Sequence, residues 1–256
     1  MTPNSNNTGY IALTSHYGDL TITTPNTLID GLDIHGYVVV KAANVVIRRS
    51  IIRGGSAATG NACLSIVGGG TNYLVEDVTI SPEFPNSKQN AINVNQPGIL
   101  RRLNISGTVD GIMIYGSGVN VQDSYIHDLK VWPTGHSDGG PTHNDCIQLQ
   151  AGTGVRIERN SLTGANNAAI MVTQDAGVVK DLVIADNYLD NGGCSINFGS
   201  NGAPKTGIVV QNNRFGRNQR NVGCAIIRNA TQTPFAVEQG NVWDDNNVAT
   251  GIKKGA

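Results

Sequence analysis

Two aspartates open matching strings in this chain, Asp110-Gly111-Ile112-Met113-Ile114-Tyr115 and Asp145-Cys146-Ile147-Gln148-Leu149-Gln150. If the two strings lie in register on stacked strands, the aspartates face each other about one strand spacing, ~4.8 Å, apart. Carboxylates that close share a proton, a cation or a substrate, and like charge raises the pKa of one of them unless something neutralises it. Three readings follow: an acid/base pair, a calcium site built on Asp110 and Asp145, or two turn-capping aspartates, because Asp is a favoured turn residue.

Between the strings lies the segment 129–144, LKVWPTGHSDGGPTHN, which carries Lys130, Trp132, His136, Asp138 and His143. A cation, an indole and two imidazoles next to a carboxylate pair are most of the side-chain chemistry that a site for proton transfer needs. A loop rich in such residues points to function more than a loop of Ser and Gly does. The outward positions beside the aspartates are polar or adaptable: Asn93 and Asn95, Met113 and Tyr115, Gln148 and Gln150, Met171 and Thr173, then Gln174 and Asp175. Amides and a tyrosine along a sheet suit hydroxyl-rich polymers, which present many weak donors and acceptors. The candidate substrate-binding residues are therefore Trp132, Gln148, Gln150, Asn93, Asn95 and Gln174. Arg101, Arg102 and Lys88 could meet an acidic sugar. Arg48, Arg49 and Arg159 recur at equivalent repeat positions, however, so the arginines read as solvated columns, and His127 shares its repeat position with His35.

What must hold these residues in place is a repeat. Apolar residues at i, i+2 and i+7 recur nine times, as in Val45/Ile47/Ile52, Val119/Val121/Ile126, Ile208/Val210/Phe215 and Phe235/Val237/Val242. Successive copies start 18, 28, 25, 21, 36, 27, 26 and 27 residues apart, a quasi-period typical of stacked coils. A second track of alternating pairs runs between them, including Leu64/Ile66, Ile92/Val94, Ile112/Ile114, Ile147/Leu149, Ile170/Val172 and Ile196/Phe198. Alternation bounded by Gly, Asn, Asp and Pro reads as strands with one buried face, and no window has helical periodicity with caps. The expected fold is all-β: a single-stranded right-handed parallel β-helix, a solenoid of about nine coils and on the order of 40 Å long. Residues 1–24 read as an N-terminal cap, 25–243 as the helix domain with 129–144 inserted in its longest coil, and 244–256 as a polar C-terminal tail. Asn160, Asn187 and Asn213 share one turn position in successive coils and are expected to bond to one another and to turn backbone.

With 14% charged residues, a net charge of −1 and no basic run, the chain has no electrostatic footprint for nucleic acid or for an anionic membrane surface. No apolar stretch approaches a membrane span, and Met-Thr-Pro-Asn-Ser-Asn is not a signal peptide. The four cysteines contain no C-x-x-C pair, which disfavours zinc. Cys194 and Cys224 align in adjacent coils, close enough for a disulfide, although two buried thiols packed as small hydrophobes are the plainer reading. Cys63 and Cys146 align at another position, three coils apart, and are expected to be free.

The strings NTLIDGLDI, VVVKAANVVIRRSIIRG, VNVQDSYIHDL and THNDCIQLQAGTGVRIERNSLTG resemble the right-handed parallel β-helix repeat proteins of bacteria and phages, a pectate-lyase-like superfamily, over about residues 20 to 245. The resemblance implies a polysaccharide partner, in an extracellular or virion-associated setting, with a homotrimer as one oligomeric form. Asp110-Gly and Asp145-Cys resemble two carboxylate motifs of the polygalacturonase-like hydrolases. The following coil, AGTGVRIERN then NNAAIMV, lacks that group's Gly-His-Gly and Arg-x-Lys. The expected activity is therefore β-elimination on an acidic polysaccharide. Asp110 and Asp145 with Ca2+, or the Gln148 amide, would neutralise the uronate; His143 or Lys130 would be the base, and His136 or Tyr115 the acid. The alternatives are a non-catalytic glycan-binding or phage tail module and a glycoside hydrolase using Asp110 and Asp145.

Overall fold

Burying the two apolar tracks against each other closes the chain into a coil. The computed structural model describes residues 2–10, 14–56, 62–136 and 138–255; parts of the expected cap (residues 1 and 11–13) and of the insertion (residue 137) lie outside them. Among the described residues the strand ladders are parallel, forming sheets of 17 and 10 strands and a small pair, Gly152–Thr153 with Val179–Lys180. Among the described residues no helix is long and apolar enough to cross a membrane. The architecture is a right-handed parallel β-helix.

The registers follow the sequence tracks. Ile47 stacks on Ile29 and Val75, Val121 on Leu100 and Ile157, and Ile184 on Ile157 and Val210. On the second sheet Ile92, Ile112, Ile147, Ile170 and Ile196 form one column of fully buried side chains. Both tracks contribute to one continuous apolar core. The ninth triplet departs from expectation. A register shift at Ile208/Val209 sets Val210 against Glu238 and Phe215 against Trp243, so Val237 is exposed and Trp243, not Val242, enters the core. The indole meets the edge of Phe215 at 6.3 Å, and Arg217 stacks on it at 3.9 Å. Two adjacent apolar residues hid the extra residue from a period-two reading.

The stretches read as cap and tail also continue the sheets. Thr14–Tyr17 pairs with Leu32–His35, Leu20–Ile22 with Val38–Val40, and Ile252–Lys254 with Ile226–Arg228. Residues 2–10 run along the flank: Gly9 donates its N–H to Arg102 O at 2.8 Å, Tyr10 donates to Thr79 Oγ1 at 3.0 Å, and Pro3 lines a surface cavity together with Tyr188 and Arg214.

The asparagine column is real and longer than expected, reaching Asn241. Asn187 Oδ1 accepts the backbone and side-chain N–H groups of Asn160, while its amide donates to Ile157 O and Asn213 Oδ1, and Asn213 repeats the pattern with Asn241.

Cys194 and Cys224 are joined, which corrects the plainer reading of two thiols; Cys63 and Cys146 are free and buried. The column explains the bond, since both residues occupy the position two before paired core isoleucines, Ile196 and Ile226, with Cα atoms 4.7 Å apart. Closing a separation of 30 residues is worth about 3 kcal/mol. Chemical denaturation with and without a thiol reductant should show a loss of that order, absent in a Cys194→Ser/Cys224→Ser double variant.

Candidate active site

Asp110 and Asp145 share the column that holds Cys194 and Cys224, because Ile112 pairs with Ile147 and Asp145 with Ala168. Gly111 makes the stacking feasible: a Cβ there would come within 2.3 Å of Cys146 O and 2.8 Å of Ile126 Cγ2. Asp110 Oδ1 accepts the Asp145 backbone N–H at 2.9 Å. Asp145 accepts the Asn167 amide at 3.0 and 3.3 Å from its two oxygens. The residue before Asp145 fixes the inserted loop. Asn144 is fully buried, donates to Val109 O and Lys130 O at 2.7 and 2.8 Å, and accepts the Thr142 hydroxyl at 3.0 Å.

Above the pair lies a cavity of about 400 Å³ lined by Asp110, Asp145, His136, His143, Gln148, Gln150, Asn167, Met171, Thr173 and Asp175. Six of the sequence candidates therefore meet in one cleft. The imidazoles of His136 and His143 stack at 4.0 Å on its rim, and His136 Nδ1 lies 2.8 Å from Asp138 Oδ1. Tyr115, Asn93 and Asn95 line a neighbouring cavity with Ser65. Lys130 and Trp132 are not among the cleft residues; the ammonium sits 4.7 Å over the indole. Gln174 is engaged within the chain, donating to Asn201 O and Ala203 O and accepting from Val179 N–H. The arginine columns are paired: Arg101 with Glu76, Arg102 with Asp77 and Arg159 with Asp123. Asn167 was missed, although reading the second track back three positions puts it in the column of Asn144, beside Asp145.

Burial governs the electrostatics. It pushes Asp110 up to about 7 from 3.8, against the opposing N–H bond. Asp145 is also raised well above the usual carboxylate range, by burial first and then by the Asp110 charge. Burial thus holds both carboxyls toward their protonated forms, a property of the two groups together. Burial and then the same charge raise Tyr115. The calcium expectation does not fit this donor set. Asp110 Oδ1 and both Asp145 oxygens already accept N–H groups, and no group of three or more His, Cys, Asp or Glu among the described residues could hold a metal. A hard cation of that kind takes six to eight oxygen ligands.

The raised carboxyls make stability pH-dependent. A folded pKa above the unfolded one means that the stabilisation is fully present below about 3.8 and is lost as pH rises through about 7. The thermal midpoint of the wild type should therefore fall by ~5 °C or more between pH 5 and 9, and Asp110→Asn should flatten the fall. Parallel curves for the two proteins would show that Asp110 ionises without a burial penalty.

Among solved structures, the Agl-KA catalytic domain superposes with a TM-score of 0.56 at 13% identity, covering 97% of this chain and 53% of that one. The catalytic unit of a thermostable GH87 alpha-1,3-glucanase from Streptomyces thermodiastaticus strain HF3-3 gives 0.56 at 16% identity, covering 86% and 49%. The chain thus spans about half the length of each, and at these identities the likeness is one of fold. No curated protein matches in sequence. The sequence model described as a right handed beta helix region matches residues 66–239, and the chain belongs to that family.

Proposed function

We propose that the protein hydrolyses a glycosidic bond in an uncharged polysaccharide, with Asp110 and Asp145 as the proton-carrying pair. The observation that supports this reading is two buried carboxyls, stacked and both pushed toward their protonated forms by burial, at the floor of a polar cleft. A general acid works best when its pKa lies near the working pH. The pair gives a proton to the leaving glycosidic oxygen as the C–O bond breaks. Its ionised form takes a proton from the water that adds to the anomeric carbon, which restores the starting state.

The lining argues for a neutral glycan. No Lys or Arg is among the lining residues and Asp175 faces the cleft beside the aspartate pair, so a polyanion finds no fixed cation there. The elimination expected from the sequence needs a group that neutralises the uronate; the Asp110 and Asp145 donors do not suit calcium, which leaves only the neutral Gln148 amide in the cleft, and Lys130, one of the candidate bases, is held over Trp132. Amides from Gln148, Gln150 and Asn167 supply donors and acceptors for sugar hydroxyls. A disulfide between Cys194 and Cys224 suits an oxidising compartment and supports the extracellular or virion-associated setting.

The distinguishing test follows two products together on neutral and acidic polysaccharides: new reducing ends, and the ultraviolet absorbance of an unsaturated uronate. Hydrolysis predicts reducing ends from neutral glycans without the absorbance, at a rate unchanged by chelator. Absorbance growing with an acidic polymer, or loss of activity in chelator, would replace this reading with metal-assisted elimination.

A further inference from the structure

The aspartate pair is asymmetric in its hydrogen bonds. Asp110 Oδ1 accepts the backbone N–H of Asp145, stacked beyond it, at 2.9 Å, and the nearby Ala168 N–H helps to hold the Asp145 carboxyl down. Only Asp145 also receives a side-chain amide among the described residues: Asn167 Nδ2, 3.0 and 3.3 Å from its two oxygens. The backbone of Asn167 is tied on both sides, donating to Asn144 O at 2.8 Å and accepting from Gly193 N–H at 2.7 Å. Its amide is thus held on Asp145 by two neighbouring coils while it lines the cleft.

Resting on the reading of Asp110 and Asp145 as the proton-carrying pair, we propose that Asn167 is a positioning residue that fixes the Asp145 carboxyl, favours its ionised form and so sets the pH at which the pair releases its proton. An N–H donor stabilises a carboxylate more than the neutral acid, which opposes burial. The other titratable groups facing the cleft do not duplicate this contact. Asp110 and Asp175 are acids, His136 and His143 stack on each other at the rim, and Tyr115 lies in the next cavity. Asn167 acts on the proton through Asp145.

The test is a carbon-13 NMR titration of the Asp110 and Asp145 carboxyls in the full chain without substrate, for wild type, Asn167→Ala and Asn167→Asp. The Asp145 carboxyl should titrate about one pH unit higher in Asn167→Ala. It should titrate higher still in Asn167→Asp, which keeps the shape of the side chain but replaces the donor with a like charge. Asn197→Ala, an amide elsewhere on the same sheet face, should leave both titrations in place. Asp145 titrating at the same pH in every variant, with only the melting temperature altered, would overturn the proposal and leave Asn167 a structural residue. Because no substrate is present, failure to find a cleaved glycan would count against the hydrolase reading alone.

Discussion

Asp110→Asn should lower polysaccharide turnover by about 10²–10⁴-fold while the protein stays folded. The amide has the shape of the acid, and its carbonyl oxygen can still accept the Asp145 N–H that Asp110 Oδ1 takes at 2.9 Å. What it lacks is a proton to give in the neutral range. Asp145→Asn should act similarly, and the double variant should be little worse than either single one, because groups that work as a unit are not additive. The measurement is kcat/KM for the three variants beside a thermal melt of each. Turnover within a few-fold of wild type in a folded Asp110→Asn protein would remove the pair from the chemistry.

The second large effect concerns stability. Asn187→Ala deletes the partner of the Asn160 backbone N–H, the Asn160 amide, Ile157 O and Asn213 Oδ1 in one step, all of it inside a buried column. Each buried polar group left unpaired costs ~1–3 kcal/mol, so the loss should be on the order of 4 kcal/mol, or about 10 °C in melting temperature. The exposed ladder of Asn26, Asn44 and Asn72 is the internal comparison: Asn44 donates to Asn26 at 3.0 Å and accepts from Asn72 at 2.7 Å, but water can replace both bonds. Asn44→Gly, which removes the amide but tolerates the left-handed backbone at this position (φ 59°), should therefore cost under ~1 kcal/mol. Equal effects at the two positions would mean that burial does not control what this column is worth.

The fold was legible in the sequence because burial imposes a strict alternation on every coil. Ile112, Ile147 and Ile170 had to be apolar and the residues between them did not. The reading failed where that constraint is degenerate. Val242 and Trp243 satisfy the same pattern one residue apart, so the bulge at Ile208/Val209 left no trace. The flank-running segment 2–10 packs outside the core, where no periodicity applies. The Cys194–Cys224 bond followed from register, yet packing as thiols satisfied the same spacing.

The site divides along the same line. Asp110, Asp145, Gln148 and Gln150 sit on strands, and the repeat alone places them together. His136 and His143 reached the cleft through a loop whose path the repeat does not specify; Lys130 and Trp132, from the same loop, found each other instead. Gln174 appeared free because an outward amide and an internally bonded one look alike until the 199–206 connection is traced against it. Asn167 was overlooked because its partner is a carboxylate one coil away, visible only when the columns are aligned through the turns as well as the strands.

The most direct test of the central claim is the release of reducing ends from a panel of neutral polysaccharides by wild type and Asp110→Asn side by side. Hydrolysis by the buried pair predicts release from at least one of them by the wild type and its near-complete loss in the variant. Release that is equal in the two proteins, or no release from any neutral polysaccharide by a folded wild type, would contradict it.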